Sequence, residues 1–179
     1  MSNFFPVAVP GDICILLVPD GPEQEHILEM QKKLQARFGG KIFNPTHVTA
    51  QRFSSCSLDV VRAVAAFLQP LRPFQMYADR LTQFYSEFWG KHVLRWHVQP
   101  TPEWRTFQHS AEERLRALDC PPHYPPEKPA TCTALEIDQP VDLSRCVTEF
   151  PIPLFSVRNL QLSRVEENSR FTILEEIFL

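Results

Sequence analysis

Two short triplets hold the residue types best suited to moving protons and holding phosphate. The first is His47-Val48-Thr49, preceded by Pro45-Thr46, and the second is Thr131-Cys132-Thr133. On a β-strand, residues two apart project from the same face. His47 and Thr49 therefore point together, while Val48 points into the opposite layer. An imidazole exchanges protons near neutral pH, and a hydroxyl donates a hydrogen bond to a phosphoryl oxygen. The same alternation groups Thr131 with Thr133 and turns Cys132 into the core. The second triplet thus offers two hydroxyls and no imidazole.

Several residues are candidates to complete such a site. Arg52 follows His47 by five positions, and a guanidinium fork suits phosphate oxygens. Arg95 and His97 alternate on one face of a strand over residues 93–98. His97 and His123 are the two candidates for a second imidazole. Tyr124 lies beside the proline-rich connector 120–129, and is the preferred base-stacking ring among Trp89, Trp96, Trp104, Tyr77, Tyr85 and Tyr124. His26, His92 and His109 have no metal-ligand spacing, so no metal is expected.

The elements that must position these residues follow from periodicity and punctuation. Ile13–Val18 is an apolar run that reads as a buried strand. Pro22, Glu23 and Glu25 open a helix with Ile27, Met30, Leu34 and Phe38 on one face, ended by Gly39-Gly40. Residues 46–53 read as the next strand. Ser57 caps a second helix carrying Val60, Val61, Val64 and Leu68, stopped before Pro70. Residues 74–88 read as strand and turn, and 92–98 as strand. Thr101-Pro102-Glu103 starts a third helix with Trp104, Phe107, Ala111, Leu115 and Leu118 on one face. Residues 130–137 form a strand. Residues 154–162 and 171–178 form a closing hairpin around Glu166-Glu167-Asn168.

The order suggests a duplication. Each half runs strand, helix, then a strand holding a polar X-x-Thr triplet. Similar phrases follow each triplet: Leu58-Asp59-Val60-Val61-Arg62-Ala63-Val64 and Val141-Asp142-Leu143-Ser144-Arg145-Cys146-Val147. The expected architecture is α+β. Two pseudo-symmetric lobes of antiparallel-rich sheet, flanked by helices, face each other across a central cleft within one domain spanning residues 1–179.

Composition narrows the partners. The chain has 179 residues, is 44% hydrophobic and carries a formal net charge of −3. That balance argues against gripping long double-stranded nucleic acid by phosphate neutralisation. It leaves room for a small anion in a local positive pocket. Five cysteines, an odd number with no CxxC pair, point to reduced thiols rather than a disulfide framework. The N-terminal stretch lacks a basic n-region, and no apolar run has the length of a membrane span. A cytoplasmic protein without membrane association is expected.

Pro45-Thr46-His47-Val48-Thr49 is similar to the His-x-Thr signature of the 2H phosphoesterases, the LigT-like cyclic phosphodiesterases and RNA 2′-5′ ligases. The resemblance runs from the first strand and helix to the closing segment 171–179. It implies two signatures facing each other, with one histidine as base, the other as acid, and two threonines on the phosphate oxygens. His47 and Thr49 match the first signature, and Thr133 matches the second threonine. Thr131 stands where the second histidine should be. The resemblance implies a nucleotide or RNA-end phosphate as ligand, cyclic-phosphate opening or 2′-5′ phosphodiester chemistry as the reaction, and no cofactor. Loss of one proton-transfer group typically costs about 10²–10⁴-fold in rate. The expectation is therefore weak or altered catalysis, with a silent nucleotide- or RNA-binding protein or a partner-binding module as alternatives.

Overall fold

The computed structural model describes residues 8–68, 71–87, 89–125, 128–145, 148–167 and 170–179. Pro70, Phe88, Cys146, Val147 and Asn168 lie outside them. The strands are β1 (Ile13–Val18), β2 (Lys41–Ile42), β3 (Val48–Phe53), β4 (Phe74–Ser86), β5 (Lys91–Val98), β6 (Thr131–Ile137), β7 (Ile152–Val157), β8 (Asn159–Val165) and β9 (Phe171–Phe178). The helices are α1 (Gly21–Phe38), α2 (Leu58–Leu68) and α3 (Pro102–Ala117), with a 3₁₀ turn at Leu143–Arg145.

Local chemistry sets the helix ends. Pro22 occupies the first turn of α1 with Glu23 beside it, and Gly39, at φ 72°, stops the helix. The Thr101 side chain accepts from the Trp104 N–H at 3.2 Å at the start of α3. The Ser57 hydroxyl lies 3.4 Å from the Val60 N–H at the start of α2. Gly40 is needed for a different reason. Its φ is +87°, and a Cβ there would collide with the Glu136 carbonyl, so only glycine lets the chain pass this close to β6.

The strands form one antiparallel sheet in the order β7-β4-β5-β6-β3-β1-β8-β9, with β2 beside β6. The first triplet-bearing unit, β1-α1-β3, and the second, β5-α3-β6, end in strands that are neighbours. They meet at the Val48↔Cys132 pair, the middle residues of the two triplets. Around that pair the order is symmetric, β6 matching β3, β5 matching β1 and β4 matching β8.

A buried row runs through the pair: Trp96, Cys132, Val48, Leu17, Leu160 and Ile177 are successive cross-strand partners, each at most 5% exposed. The inner faces of α1, α2 and α3 pack in the same core, through Ile27, Val64 and Phe107 among others. All three helices thus cover one face of the sheet. On the other face a small cluster of Cys14, Leu16, Val18 and Val165 is flanked by Ala8 and Phe171. No helix of the described residues is long and apolar enough to cross a membrane.

Two boundaries differ from the sequence reading. Pairing of β3 starts at Val48, because Thr46 is buried beside Gln31 in the approach to the strand. Residues 154–162 are two strands. Leu154, Phe155 and Val157 are buried on β7 against β4, Leu160 and Leu162 on β8 against β1, and exposed Arg158 marks the crossing between sheet halves. Two apolar runs separated by one charged residue read as a single strand in one dimension.

Gln31 is one buried polar residue that periodicity overlooked. Its amide donates to the carbonyls of Phe43 at 3.0 Å and Ala134 at 3.1 Å, tying α1 to the His47 approach and to β6. Replacing it with Leu removes both donors from buried acceptors. Gln31→Leu should cost about 1–3 kcal/mol, read as a lower urea midpoint with an unchanged slope. A wild-type midpoint would show that these bonds contribute nothing net.

Candidate functional site

The seam fixes where the triplets point. Val48 and Cys132 are fully buried in the core, so Thr49, Thr131 and Thr133 project from the helix-free face. All three threonines are partly exposed there. His47 precedes β3, but its ring lies 5.3 Å from that of Phe171, which packs against the small cluster on the same face. The four triplet side chains are thus brought to one surface.

β5 extends that surface. Arg95 pairs with Thr133 and His97 with Thr131, and both alternate with buried Leu94, Trp96 and Val98. Beyond them, Thr82 pairs with Arg95, and Arg80 with His97. The shelf is therefore a patch of hydroxyls, imidazoles and guanidiniums about four strands wide.

The hydrogen bonds assign the tautomers. The Nδ1 of His47 lies 2.9 Å from the Pro45 carbonyl. A carbonyl can only accept, so Nδ1 carries the proton and the lone pair is on Nε2. Burial against Phe43 and Phe171 pulls the His47 pKa down, partly opposed by the Pro45 bond. A neutral imidazole with a bare Nε2 is ready to accept a proton.

His97 has the reverse arrangement. Arg80 donates to its Nδ1 at 3.1 Å, so Nε2–H donates to the Thr82 hydroxyl at 2.9 Å. Burial first, then Arg80 and Arg95, lower its pKa. His97 stays neutral and offers a hydrogen bond, but a neutral imidazole is a poor acid.

His123 sits elsewhere. Arg52 Nε donates to its Nδ1 at 3.2 Å, and its Nε2 is 3.0 Å from the Ser54 hydroxyl. Arg52 is itself only 2% exposed, with its Nε 3.3 Å from Asp12 Oδ2. Its guanidinium lies 5.0 Å from the Tyr124 ring centre. Gln51 clamps the Tyr124 backbone on both sides, donating to its carbonyl at 2.9 Å and accepting from its N–H at 3.2 Å. Buried Arg52 with the partly exposed His123 and Tyr124 thus forms a dock for the connector, and the Arg52 charge is engaged by Asp12.

Of the other aromatic candidates, Trp96 and Trp104 are core residues. Trp89 is 36% exposed at the β4–β5 hairpin and lies 5.4 Å from Phe43, whose ring is 6.0 Å from that of His47. The sequence reading did not single out Phe43 or Phe171 beside His47. Their signal was an aromatic four residues before the histidine and one at the start of the last strand, both ordinary core signatures. It also passed over Lys128, whose ammonium lies 3.0 Å from the Tyr124 ring centre. Two hollows, about 340 Å³ between α2 and β9 and about 300 Å³ beside Asp20, Asn159 and the Pro45-Thr46 approach to His47, are lined by none of the triplet residues.

With this geometry in view, the comparisons are specific. No family model and no curated protein matches the sequence. Solved structures do. A crystal structure described as a phosphoesterase aligns over 96% of this chain and 99% of its own, with a TM-score of 0.61 at 15% identity. E. coli LigT complexed with 3′-AMP gives the same coverage, TM-score and identity. LigT complexed with NADP+ gives a TM-score of 0.59 at 17% identity. The fold is that of the 2H phosphoesterases. In this LigT-like fold the neighbours match nearly end to end, so both sheet halves and the seam between them fall within the similarity.

The depressed histidines give a pH signature. An imidazole that is harder to protonate in the folded protein than in the unfolded chain leaves the unfolded state binding more protons below about pH 6.5. Stability should therefore fall as pH drops through that value, until the folded-state groups also protonate. NMR titration should place His47 and His97 below the ordinary imidazole value. A titration of either at or above it would contradict the packing described.

Proposed function

We propose that the helix-free face binds a nucleotide or RNA-end phosphate, and that the chain is a 2H-phosphoesterase-like protein with weak or altered catalysis. The observation that carries this reading is the convergence of His47, Thr49, Thr131 and Thr133 on one face, at the seam of a LigT-like fold. His47 serves as catalytic base through Nε2. Thr49, Thr131 and Thr133 donate to phosphate oxygens, while His97, engaged by Arg80 and Thr82, borders them from the neighbouring strand. Arg52, His123 and Tyr124 support the site by holding the connector rather than by touching phosphate. Residues 1–179 act as one two-lobed domain. The free thiols of Cys14, Cys56, Cys120 and Cys132 suit a reducing compartment such as the cytoplasm.

The proposed division of labour lacks an acid. Opening a cyclic phosphate needs a proton for the departing ribose oxygen, and Thr131 cannot supply one near pH 7. His97 is held neutral by burial and its arginine neighbours, and His123 is tied to Arg52 and Ser54 in the connector dock, so neither is a ready substitute. This favours ligand binding with slow turnover, and in the limit a silent nucleotide-binding protein. That E. coli LigT has been seen with phosphate, ATP and 3′-AMP supports the choice of ligand class.

Thr131→His tests the reading directly. It should raise hydrolysis of a 2′,3′-cyclic nucleotide by about 10²-fold or more, at the low end of general-acid contributions. The pH profile should become bell-shaped, and adding His47→Ala should remove the gain. If wild type already matches the variant, another group is the acid. If the variant binds but never turns over, the binding-protein reading stands.

A further inference from the structure

The connector lies along the end of β3 in one antiparallel register. Gln51 clamps the Tyr124 backbone, the His123 N–H donates to the Arg52 carbonyl at 2.7 Å, and Phe53 bridges to Pro122. Continued past Phe53, that register sets Cys120 opposite Ser55 and next to Cys56. Residues placed this way have Cα atoms about 6 Å apart, the usual separation in a disulfide. Beyond Phe53 the chain leaves the ladder for α2, and both side chains turn to the main core. Cys120 is 8% exposed within it, and the partly exposed Cys56 packs against it. The two thiols hydrogen-bond to each other.

The pair is asymmetric. Solvent reaches Cys56, in the short link before the Ser57 cap of α2. Cys120 is covered, in the turn that ends α3, where its N–H donates to the Leu115 carbonyl at 2.9 Å. Cys14 sits in the small cluster on the helix-free face, and Cys132 at the seam. Burial first, then the neighbouring Cys120, push the Cys56 thiol up to about 11. Thiolate is therefore scarce at neutral pH, and reaction with an oxidant is slow.

We propose that Cys56 and Cys120 form a disulfide when exposed to a low-molecular-weight disulfide, and that the bond braces the connector against β3. Cys56 loses its proton to solvent and attacks one sulfur of the oxidant. The oxidant's S–S bond breaks, one thiolate leaves and takes up a proton, and Cys56 carries the mixed disulfide. Cys120, deprotonated in turn, attacks the Cys56 sulfur and expels the second thiolate. The protein gives up two electrons and two protons, and the oxidant becomes two thiols. A reducing dithiol runs the sequence backwards. Oxidation fastens covalently the first residue of a segment that the reduced protein holds by packing and hydrogen bonds. That segment carries His123 and Tyr124 and leads on to β6 and Thr131.

The test is incubation of the native full chain with oxidised glutathione at pH 8.5, then peptide mapping without reductant. Among all pairings that the five cysteines allow, Cys56–Cys120 should accumulate, with two hydrogens lost and no glutathione retained. Amide exchange at His123 and Tyr124, whose N–H groups bond to Arg52 and Gln51, should slow by about tenfold or more. Dithiothreitol should return both the thiols and the exchange rates. Cys120→Ala should stop at the glutathione adduct on Cys56, and Cys56→Ala should leave Cys120 unmodified. A wild type that halts at the adduct, or joins either thiol to a different cysteine, would overturn the pairing. That mapping needs no variant, so it decides even if a variant does not fold. A Cys56–Cys120 bond with unchanged exchange at His123 and Tyr124 would overturn the brace. None of these readouts involves a phosphate ligand, so their failure leaves the proposed phosphate site standing.

Discussion

Val48 and Cys132 face each other across the seam between the sheet halves, and both are fully withdrawn from solvent. The direction of the triplet threonines depends on that contact. It belongs to a row of cross-strand partners running from Trp96 to Ile177, so moving it would displace core packing over six strands. With the row held inward, strand alternation leaves Thr49, Thr131 and Thr133 no choice of face. The same constraint turns Arg95 and His97 outward beside Trp96. A set of polar residues far apart in sequence is thus assembled by apolar burial on the opposite side of the sheet.

Local electrostatics then differentiate these groups. The chain as a whole is slightly acidic, yet the helix-free face and its connector collect Arg52, Arg80, Arg95 and Lys128. Arg52 is balanced by Asp12 and serves structure, while Arg80 fixes the tautomer of His97. The two imidazoles on the face are not equivalent: the proton of His47 is on Nδ1, which leaves the Nε2 lone pair free of it, whereas His97 gives its Nε2–H to Thr82. Proton acceptance without matching proton donation is the physical content of the altered catalysis proposed for this face.

Much of this was legible in the sequence because it rests on local signals. Gly39, Ser57, Thr101 and the apolar spacing of α1, α2 and α3 placed the helices, and the alternation in His47-Val48-Thr49 and Thr131-Cys132-Thr133 identified the buried middle residues. What was not legible depends on tertiary partners. Arg52 looked like a phosphate ligand because nothing in the sequence shows Asp12, 40 positions earlier, beside it. His123 and Tyr124 looked free because Gln51 and Arg52, which hold them, lie some 70 positions away. The split of residues 154–162 into β7 and β8 was hidden because both pieces are apolar, and only pairing to β4 and β1 separates them. Arg95 was seen to share a face with His97, but that its Nε finds no acceptor among the described residues is a property of the folded shelf.

The most direct measurement is backbone and arginine side-chain NMR during titration with 3′-AMP. A phosphate held on the helix-free face should shift the Thr49, Thr131 and Thr133 amides and the Arg95 Nε–H together, saturating with one affinity. His47 resonances should move in the same titration. Shifts confined to the α2–β9 hollow at Arg62 and Glu175, or no saturable shift at these residues, would contradict the site.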